Sequence, residues 1–295
     1  MLETRAAHEK QSAAQNIMSY EMQGLTWQAK RRNQQDAILI NHKVIQHKGV
    51  WTKHYQFNSN QAWCVAVADG VSSNEHSGKA ASKVLEIIDE HFCQQTTNIT
   101  FSIIQDRLCK ALAENPDTYI DLLDDQESGD IKSAKHDPST TMVLLRYVPA
   151  LPYNQITIQS LGDSRAYAFC NEQKKWVALT RDDNFYEELL AVDQIKYCDQ
   201  EVASSYYVLT EYFCANWLHE VPEKPVTYYE LKVNDALLIC TDGVFDALGS
   251  EYWPPIPHEQ SLEEWLDMTL EKIRHSPNCH DNVSMILVRG QLSGI

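Results

Sequence analysis

Two short apolar runs in this chain stop in the same way. AWCVAVA, residues 62–68, runs into Asp69-Gly70, and ALLICT, residues 236–241, runs into Asp242-Gly243. Short apolar runs closed by a turn pair are the pattern of strands buried on both faces, so a sheet covered on both sides is expected. Three further runs carry an aspartate at one end: Asp163 follows ITIQSLG, Asp281 precedes NVSMILV, and Asp36 precedes AILI. Any one Asp-Gly or Asp-Asn pair is an ordinary turn signal. Five aspartates at the ends of five apolar runs carry more weight. Strand ends are rigid, and sheets that bring these ends to one edge make the carboxylates face each other and repel.

The remaining pattern supplies the other elements. Residues 1–15 are polar and aperiodic and read as a frayed tail. Strands are expected over Ile17–Trp27 and over AILINHKVIQHK at 37–48. SGKAASKVLEIIDEHF sets Ala81, Val84, Leu85, Ile88 and Phe92 at helical spacing behind Ser77 as N-cap, and Ile104, Leu108 and Leu112 mark a second helix. An acidic, aperiodic insert fills 114–138. TTMVLLRYV and QITIQSLGD, then RAYAF and KKWVALT, read as strands joined by hairpin-length links, and DNFYEELLAVDQI as a short helix. PVTYYELKV is another strand, SLEEWLDMTLEKIRHS a helix opened by a Ser261/Glu264 capping box, and DNVSMILVRG the closing strand. Hairpin-length links between strands, with few helices, argue for an α+β sandwich of antiparallel sheets over a doubly wound fold.

The 295 residues carry a net charge of −16, which excludes bulk binding to nucleic acid or to an anionic membrane surface. No stretch approaches the ~20 uninterrupted apolar residues of a membrane span, and the polar N-terminus lacks the order of a secretion signal, so a cytoplasmic protein is expected. The eight cysteines stand singly and read as reduced thiols. His42, His47 and His54 lie in a polar, Lys-containing segment and read as solvated side chains, not as a zinc site. The residues before Gly78-Lys79 lack the first glycine of a P-loop, and no G-x-S-x-G elbow offers a nucleophile.

Clustered carboxylates need cations, and Lys or Arg does not stand beside every aspartate. Divalent ions meet that need, and a donor set of carboxylates, carbonyls and water without Cys or His selects hard ions such as Mg²⁺ or Mn²⁺. Gly70 and Gly243 would let a carbonyl or a substrate approach closely. Arg31 or Arg32, just upstream of Asp36, could hold a phosphate in a bidentate fork.

In order along the chain, RRNQQDA, VADGVSS, STTMVLL, LGDSRAYAF, LTRDDNFYEELL, LLICTDGVFDAL and HDNVSMILV resemble the motifs of the type 2C (PPM) serine/threonine protein phosphatases, especially their compact bacterial form. The resemblance implies a four-layer αββα sandwich of two antiparallel β-sheets flanked by helices, in a single domain over 16–295 that includes the acidic insert 114–138 and a flap-like segment 185–230. It implies two Mn²⁺ or Mg²⁺ ions at the edge between the sheets. By matching motif, Asp69 would bridge both ions, the Gly70 carbonyl would bind one, and Asp242 and Asp281 would hold the other. Asp163 would serve a third, weaker ion, and Asp36 would act through water. Arg31 matches the arginine that grips the substrate phosphate, and His76, one residue out of register with the histidine of many relatives, is the candidate acid for the leaving group. The implied reaction is in-line attack of a metal-activated water on a phosphoserine or phosphothreonine ester, without a phosphoenzyme, opposing a Ser/Thr kinase.

Three departures from the family pattern bear on that expectation. Gln35 replaces the usual Glu, VSSNEH replaces a glycine-rich stretch, and the flap segment matches poorly. They keep a second class in view: a pseudo-phosphatase that binds a phosphoprotein without turning it over. The presence of all the aspartates favours the enzyme. Nothing in the sequence demands more than a monomer.

Overall fold

A computed structural model describes residues 19–71, 76–94, 97–113, 137–149, 155–196, 203–249 and 253–292. The expected tail 1–15 and nearly all of the insert 114–138 lie outside these residues.

The strands are β1 (Ser19–Trp27), β2 (Ala37–Ile40), β3 (Lys43–Ile45), β4 (Trp51–Asn58), β5 (Trp63–Ala68), β6 (Ser139–Thr140), β7 (Met142–Tyr147), β8 (Gln155–Leu161), β9 (Arg165–Cys170), β10 (Lys175–Ala178), β11 (Phe213–Cys214), β12 (Thr227–Glu230), β13 (Ala236–Cys240) and β14 (Val283–Gln291). The α-helices are α1 (Ser77–Gln94), α2 (Phe101–Ala113), α3 (Phe185–Ala191), α4 (Asp242–Leu248) and α5 (Leu262–His275). One six-stranded sheet runs β10-β9-β13-β14-β1-β4 and the other β12-β8-β7-β5-β2-β3, and every pairing within them is antiparallel.

The apolar runs are continuous because both faces of each sheet are covered. Side chains alternate along a strand. In β5, Trp63, Val65 and Val67 enter the layer between the sheets, where they meet Leu237 and Ile239 of β13 and Ile286 and Val288 of β14. Cys64, Ala66 and Ala68 turn the other way, onto Ala81, Val84, Leu85 and Ile88 of α1 and Ile104 and Leu108 of α2. On the outer face of the first sheet, Leu238 and Cys240 pack with Trp265, Leu266 and Ile273 of α5. Four layers, αββα, follow from that alternation. The Ser261/Glu264 capping box opens α5 as expected, with Ser261 Oγ accepting from Glu264 N–H at 3.1 Å.

Several boundaries differ from the sequence reading. The expected strand 37–48 is broken at Asn41-His42, whose φ of 50° and 57° make the two-residue hairpin turn between β2 and β3. β4, half exposed and polar, has no apolar run to announce it. Ser77 is the first residue of α1 instead of its cap, and its hydroxyl accepts from Ser139 N–H at 3.3 Å. GVFDAL belongs to α4, a helix the sequence reading did not separate from the strand before it. Within the flap-like segment, α3 is capped by the Asn184 side chain, and a 3₁₀ turn follows at Ser204–Tyr207. The seven described cysteines are unpaired. Among the described residues, no helix is long and apolar enough to cross a membrane.

Candidate active site

The five aspartates gather where the two sheets meet at one edge. β2 and β5 are neighbours with Ala37 opposite Ala68, so Asp36 and Asp69, one residue beyond each, leave the sheet at the same end. In the other sheet Cys240 pairs with Met285, and Thr241 N–H donates to Ser284 O at 3.0 Å. That places the start of α4, with Asp242, beside the Asp281-Asn282 lead into β14. A bond from Thr241 Oγ1 to Asp36 Oδ2, 2.8 Å, then crosses from one sheet to the other.

The backbone around each carboxylate is fixed. Asp69 O accepts from Thr141 N–H at 2.9 Å and from the Thr140 hydroxyl at 2.8 Å, while Asp69 N–H donates to Thr141 Oγ1 at 3.3 Å. Gly70 N–H donates to Gln35 O at 3.2 Å. Asn282 ties down the loop that carries Arg31: its Oδ1 accepts from Gln35 N–H and its Nδ2 donates to Gln28 O, both at 2.8 Å. Gln35 is thus held through its main chain, which a Glu at that position would supply equally. Both glycines are required by close packing. A Cβ on Gly70 would lie 2.6 Å from the Ser77 carbonyl carbon, and one on Gly243 would lie 1.9 Å from Asn282 O. The approach that Gly243 admits is therefore that of the neighbouring main chain.

Burial is the first cause of the electrostatic state of these groups. It raises Asp36 to about 7 and Asp242 to about 6, and it raises Asp69 and Asp163 well above the usual carboxylate range. Mutual repulsion adds to it: Asp242 acts on Asp36, Asp69 and Asp163, and Asp281 acts on Asp242. Asp242 also raises Asp69 through direct contact of the two side chains. Asp36 Oδ1 and Asp242 Oδ1 are buried without a hydrogen-bond partner. A buried carboxylate oxygen without a partner is costly, and several together call for positive charge. The donor set here is carboxylate and main-chain oxygen, which suits a hard divalent ion.

Arg31 is close, and it is engaged with one of the aspartates. Its Nε donates to Asp281 Oδ1 at 2.8 Å and its Nη2 pairs with Oδ2 of the same carboxylate. That fork leaves a second lone pair on each Asp281 oxygen for another partner. His76 stands at the start of α1 and lines a cavity of about 420 Å³ with Asn33, Gln34, Gln46, Lys48, Gly78 and Lys79.

Three residues that the sequence reading did not single out surround the cluster. Asp246, one helical turn after Asp242, is raised by burial and then by repulsion from Asp281. Asp182 repels Asp163 and is gripped by Arg165 through two bonds of 2.7 and 2.6 Å. The Arg165 guanidinium also lies 3.7 Å from the centroid of the Phe245 ring, which locks α4 against β9. For two of them the sequence held a signal, since Arg165 stands two residues after Asp163 in GDSR and Asp246 four after Asp242 in DGVFDAL; Asp182 is 19 residues from Asp163 and had none.

Comparison with known proteins gives a consistent result. A family model described as Protein phosphatase 2C matches residues 52–280. A search of curated protein sequences finds no match. Among solved structures, a Streptococcus agalactiae serine/threonine phosphatase superimposes with a TM-score of 0.61 at 20 % identity, covering 92 % of this chain and 100 % of that one. The Mycobacterium tuberculosis serine/threonine phosphatase PstP/Ppp gives 0.62 at 16 % identity, over 93 % and 100 %. The catalytic domain of PstP, in a complex with two manganese ions, gives 0.55 at 16 % identity, over 94 % and 100 %. At these identities the structural likeness establishes the fold, and the family match carries the rest.

Proposed function

The chain belongs to the protein phosphatase 2C family, and on that premise we propose that Asp36, Asp69, Asp163, Asp242, Asp281 and the Gly70 carbonyl form the cation site of its phosphatase reaction. It is a metal-dependent serine/threonine protein phosphatase that uses two Mn²⁺ or Mg²⁺ ions and hydrolyses a phosphate monoester. The observation that carries the site assignment is the buried set of mutually repelling carboxylates with two unpartnered oxygens.

By matching motif Asp69, which adjoins Asp242 in the cluster, would serve both ions, and the Gly70 carbonyl after it in the chain would serve one of them. Asp242 and Asp281 come from the other sheet and close the site from that side. Asp163 is assigned to a third, weaker position. Asp36 keeps one oxygen on Thr241 and leaves the other for a water within the site. When bound, the ions neutralise the cluster and acidify the water that attacks phosphorus in line. No side chain is needed as a nucleophile, so no phosphoenzyme forms. Arg31, forked on Asp281 in the structure, would present its guanidinium to the phosphate of the substrate and orient it. His76, which precedes the Ser77 main chain packed on Gly70, would serve as the acid that protonates the leaving group.

An intact carboxylate set is what a non-hydrolysing phosphoprotein binder would be free to lose, so the pseudo-phosphatase reading is set aside. The finer reading is a bacterial-type signalling enzyme, cytoplasmic and monomeric, that reverses the work of a Ser/Thr kinase on a protein substrate. The absence of a membrane-crossing helix among the described residues accords with it.

The test is hydrolysis of p-nitrophenyl phosphate and of a phosphothreonine peptide by metal-stripped protein with Mn²⁺, Mg²⁺ or neither added. Turnover that returns with Mn²⁺ and is lost in a folded Asp242→Asn variant supports the site assignment. Unchanged turnover in that variant overturns it.

A further inference from the structure

A second group of ligand-type side chains lies away from the aspartate cluster. Among the described residues, His42, Asp89 and Cys93 are the group of three His, Cys, Asp or Glu side chains whose ligand atoms all fall within 4.8 Å of one another. His42 Nδ1 is 2.8 Å from Asp89 Oδ1 and 3.4 Å from Cys93 Sγ. We propose that these three side chains bind a Zn²⁺ ion, at a site separate from the one that hydrolyses phosphate.

The scaffold holds them in place from two elements. His42 is the second residue of the two-residue turn between β2 and β3, a hairpin geometry that leaves the main chain little freedom. Its ring lies on Phe92, with centroids 6.1 Å apart and planes 29° from parallel, so the imidazole is oriented as well as positioned. Asp89 and Cys93 are four residues apart on α1 and therefore share a face near its C-terminal end. The β2–β3 turn and the helix meet there, and the three side chains remain accessible to solvent.

The chemistry of the donors selects the ion. Imidazole, carboxylate and thiolate together suit Zn²⁺, whereas Mg²⁺ and Mn²⁺ prefer the all-oxygen cluster. With Zn–N of about 2.0–2.1 Å and Zn–S of about 2.3 Å, tetrahedral coordination sets N and S donors about 3.6 Å apart and N and O donors about 3.4 Å apart. The N–S separation already matches, and the carboxylate has to withdraw by about 0.6 Å, which a side-chain rotation provides. Binding replaces the thiol proton with the metal and releases that proton to solvent, and water completes the coordination. His42 and Asp36 stand beyond opposite ends of β2, so ions at the two sites share no ligand. The role this geometry gives the ion is a clasp that fastens the β2–β3 turn to α1.

Cobalt reports on the site, because a thiolate ligand gives Co²⁺ a near-ultraviolet charge-transfer absorption that oxygen ligands do not. Reduced, metal-stripped full-length protein titrated with Co²⁺ is expected to develop this band, saturating at one ion, and to lose it when Zn²⁺ is added. Cys93→Ser is expected to abolish the band, and Cys170→Ser to preserve it. His42→Ala and Asp89→Asn are each expected to weaken Co²⁺ binding at least about tenfold, a loss that even supporting partners of metal ligands produce. Thermal unfolding of the metal-free variants checks that they fold. Mn²⁺-dependent turnover of p-nitrophenyl phosphate by Cys93→Ser is expected to match the parent, which separates this site from the catalytic one. The proposal is overturned if no band forms, if the band survives Cys93→Ser, or if affinity is unchanged in His42→Ala and Asp89→Asn, which would leave a lone thiol binding the probe.

Discussion

Thr241 Oγ1 donates to Asp36 Oδ2 at 2.8 Å, and the two residues belong to different sheets. Thr241 follows β13 and Asp36 precedes β2, so this hydroxyl, with the Gln35–Asn282 bond beside it, ties the two halves of the carboxylate cluster together. The same oxygen accepts from Ser284 N–H at 3.1 Å. Asp36 has its other oxygen buried without a partner, and it depends on this bond to offset part of the cost of burial. Thr241→Val keeps the shape and removes the hydroxyl. It is expected to lower stability by about 1–3 kcal/mol, the cost of a buried polar group that loses its partner, and to weaken Mn²⁺ binding. Thr241→Ser is expected to restore both. Thermal unfolding and a Mn²⁺ titration of turnover check the pair; a Val variant as stable and as tightly metal-bound as the parent would show that the bond does not hold the cluster.

Arg31 has two partners in prospect, Asp281 in the structure and a substrate phosphate in the reaction. A charge-assisted fork contributes about 1.5–3 kcal/mol, so Arg31→Ala is expected to lower kcat/KM for p-nitrophenyl phosphate by roughly 10- to 150-fold. Most of the loss is expected in KM, because the grip on phosphate is similar in the ground and transition states. Arg31→Lys keeps the charge without the fork and is expected to recover only part of it. The second effect has the opposite sign. Removing Arg31 frees Asp281 from its pair, so Mn²⁺ is expected to bind Arg31→Ala more tightly than the parent. Steady-state kinetics across Mn²⁺ concentrations separate the two; parental kcat/KM in Arg31→Ala would remove Arg31 from phosphate binding.

Much of this site was legible because its ligands are tied to short-range signals. An apolar run that stops at Asp-Gly is visible within nine residues, and the two such aspartates with the three at the ends of other runs required only that the strand ends converge. The layers were legible for the same reason, since buried strands and amphipathic helices have distinct periods. What escaped the sequence depends on long-range placement. β4 is polar and half exposed, and it is a strand because β1 pairs with it along its whole length. Asp246 and Asp182 look like ordinary surface acids until α4 and the segment after β10 bring them to the cluster.

The raised carboxylates make the metal-free protein sensitive to pH with a defined sign. Asp36 near 7 and Asp242 near 6 hold protons in the folded state that they release when unfolded, where the ordinary value is close to 4. The folded state therefore binds more protons between about pH 4 and pH 7, and stability falls as pH rises through that window. Thermal scans in a chelator are expected to show a melting temperature that declines from pH 4.5 to about 7.5 once other acid-range effects are matched in Asp36→Asn, whose decline is expected to be shallower. Added Mn²⁺ replaces the protons and is expected to reverse the slope, because deprotonated carboxylates are its ligands. A metal-free melting temperature that rises over this range, with no difference between parent and Asp36→Asn, would mean that the carboxylates are not held in repulsive proximity.

Two glycines separate steric demand from backbone demand at the edge of the site. A Cβ on Gly243 would meet Asn282 O at 1.9 Å, and that carbonyl belongs to the lead into β14, which cannot yield without moving Asp281. Gly249, at the end of α4, has φ of 81° and nothing within 4 Å of where its Cβ would be. Gly249→Ala therefore costs only the strain of an unfavourable backbone, about 1–3 kcal/mol, and is expected to leave Mn²⁺-dependent turnover intact in the fraction that folds. Gly243→Ala has to displace main chain in a close-packed region and falls among the rare substitutions that cost more than about 4 kcal/mol. Urea unfolding of the two variants, with turnover measured on each, gives the comparison. Equal losses of stability, or full activity in Gly243→Ala, would mean that α4 and the Asp281 segment are not held at the contact distance on which the cation site depends.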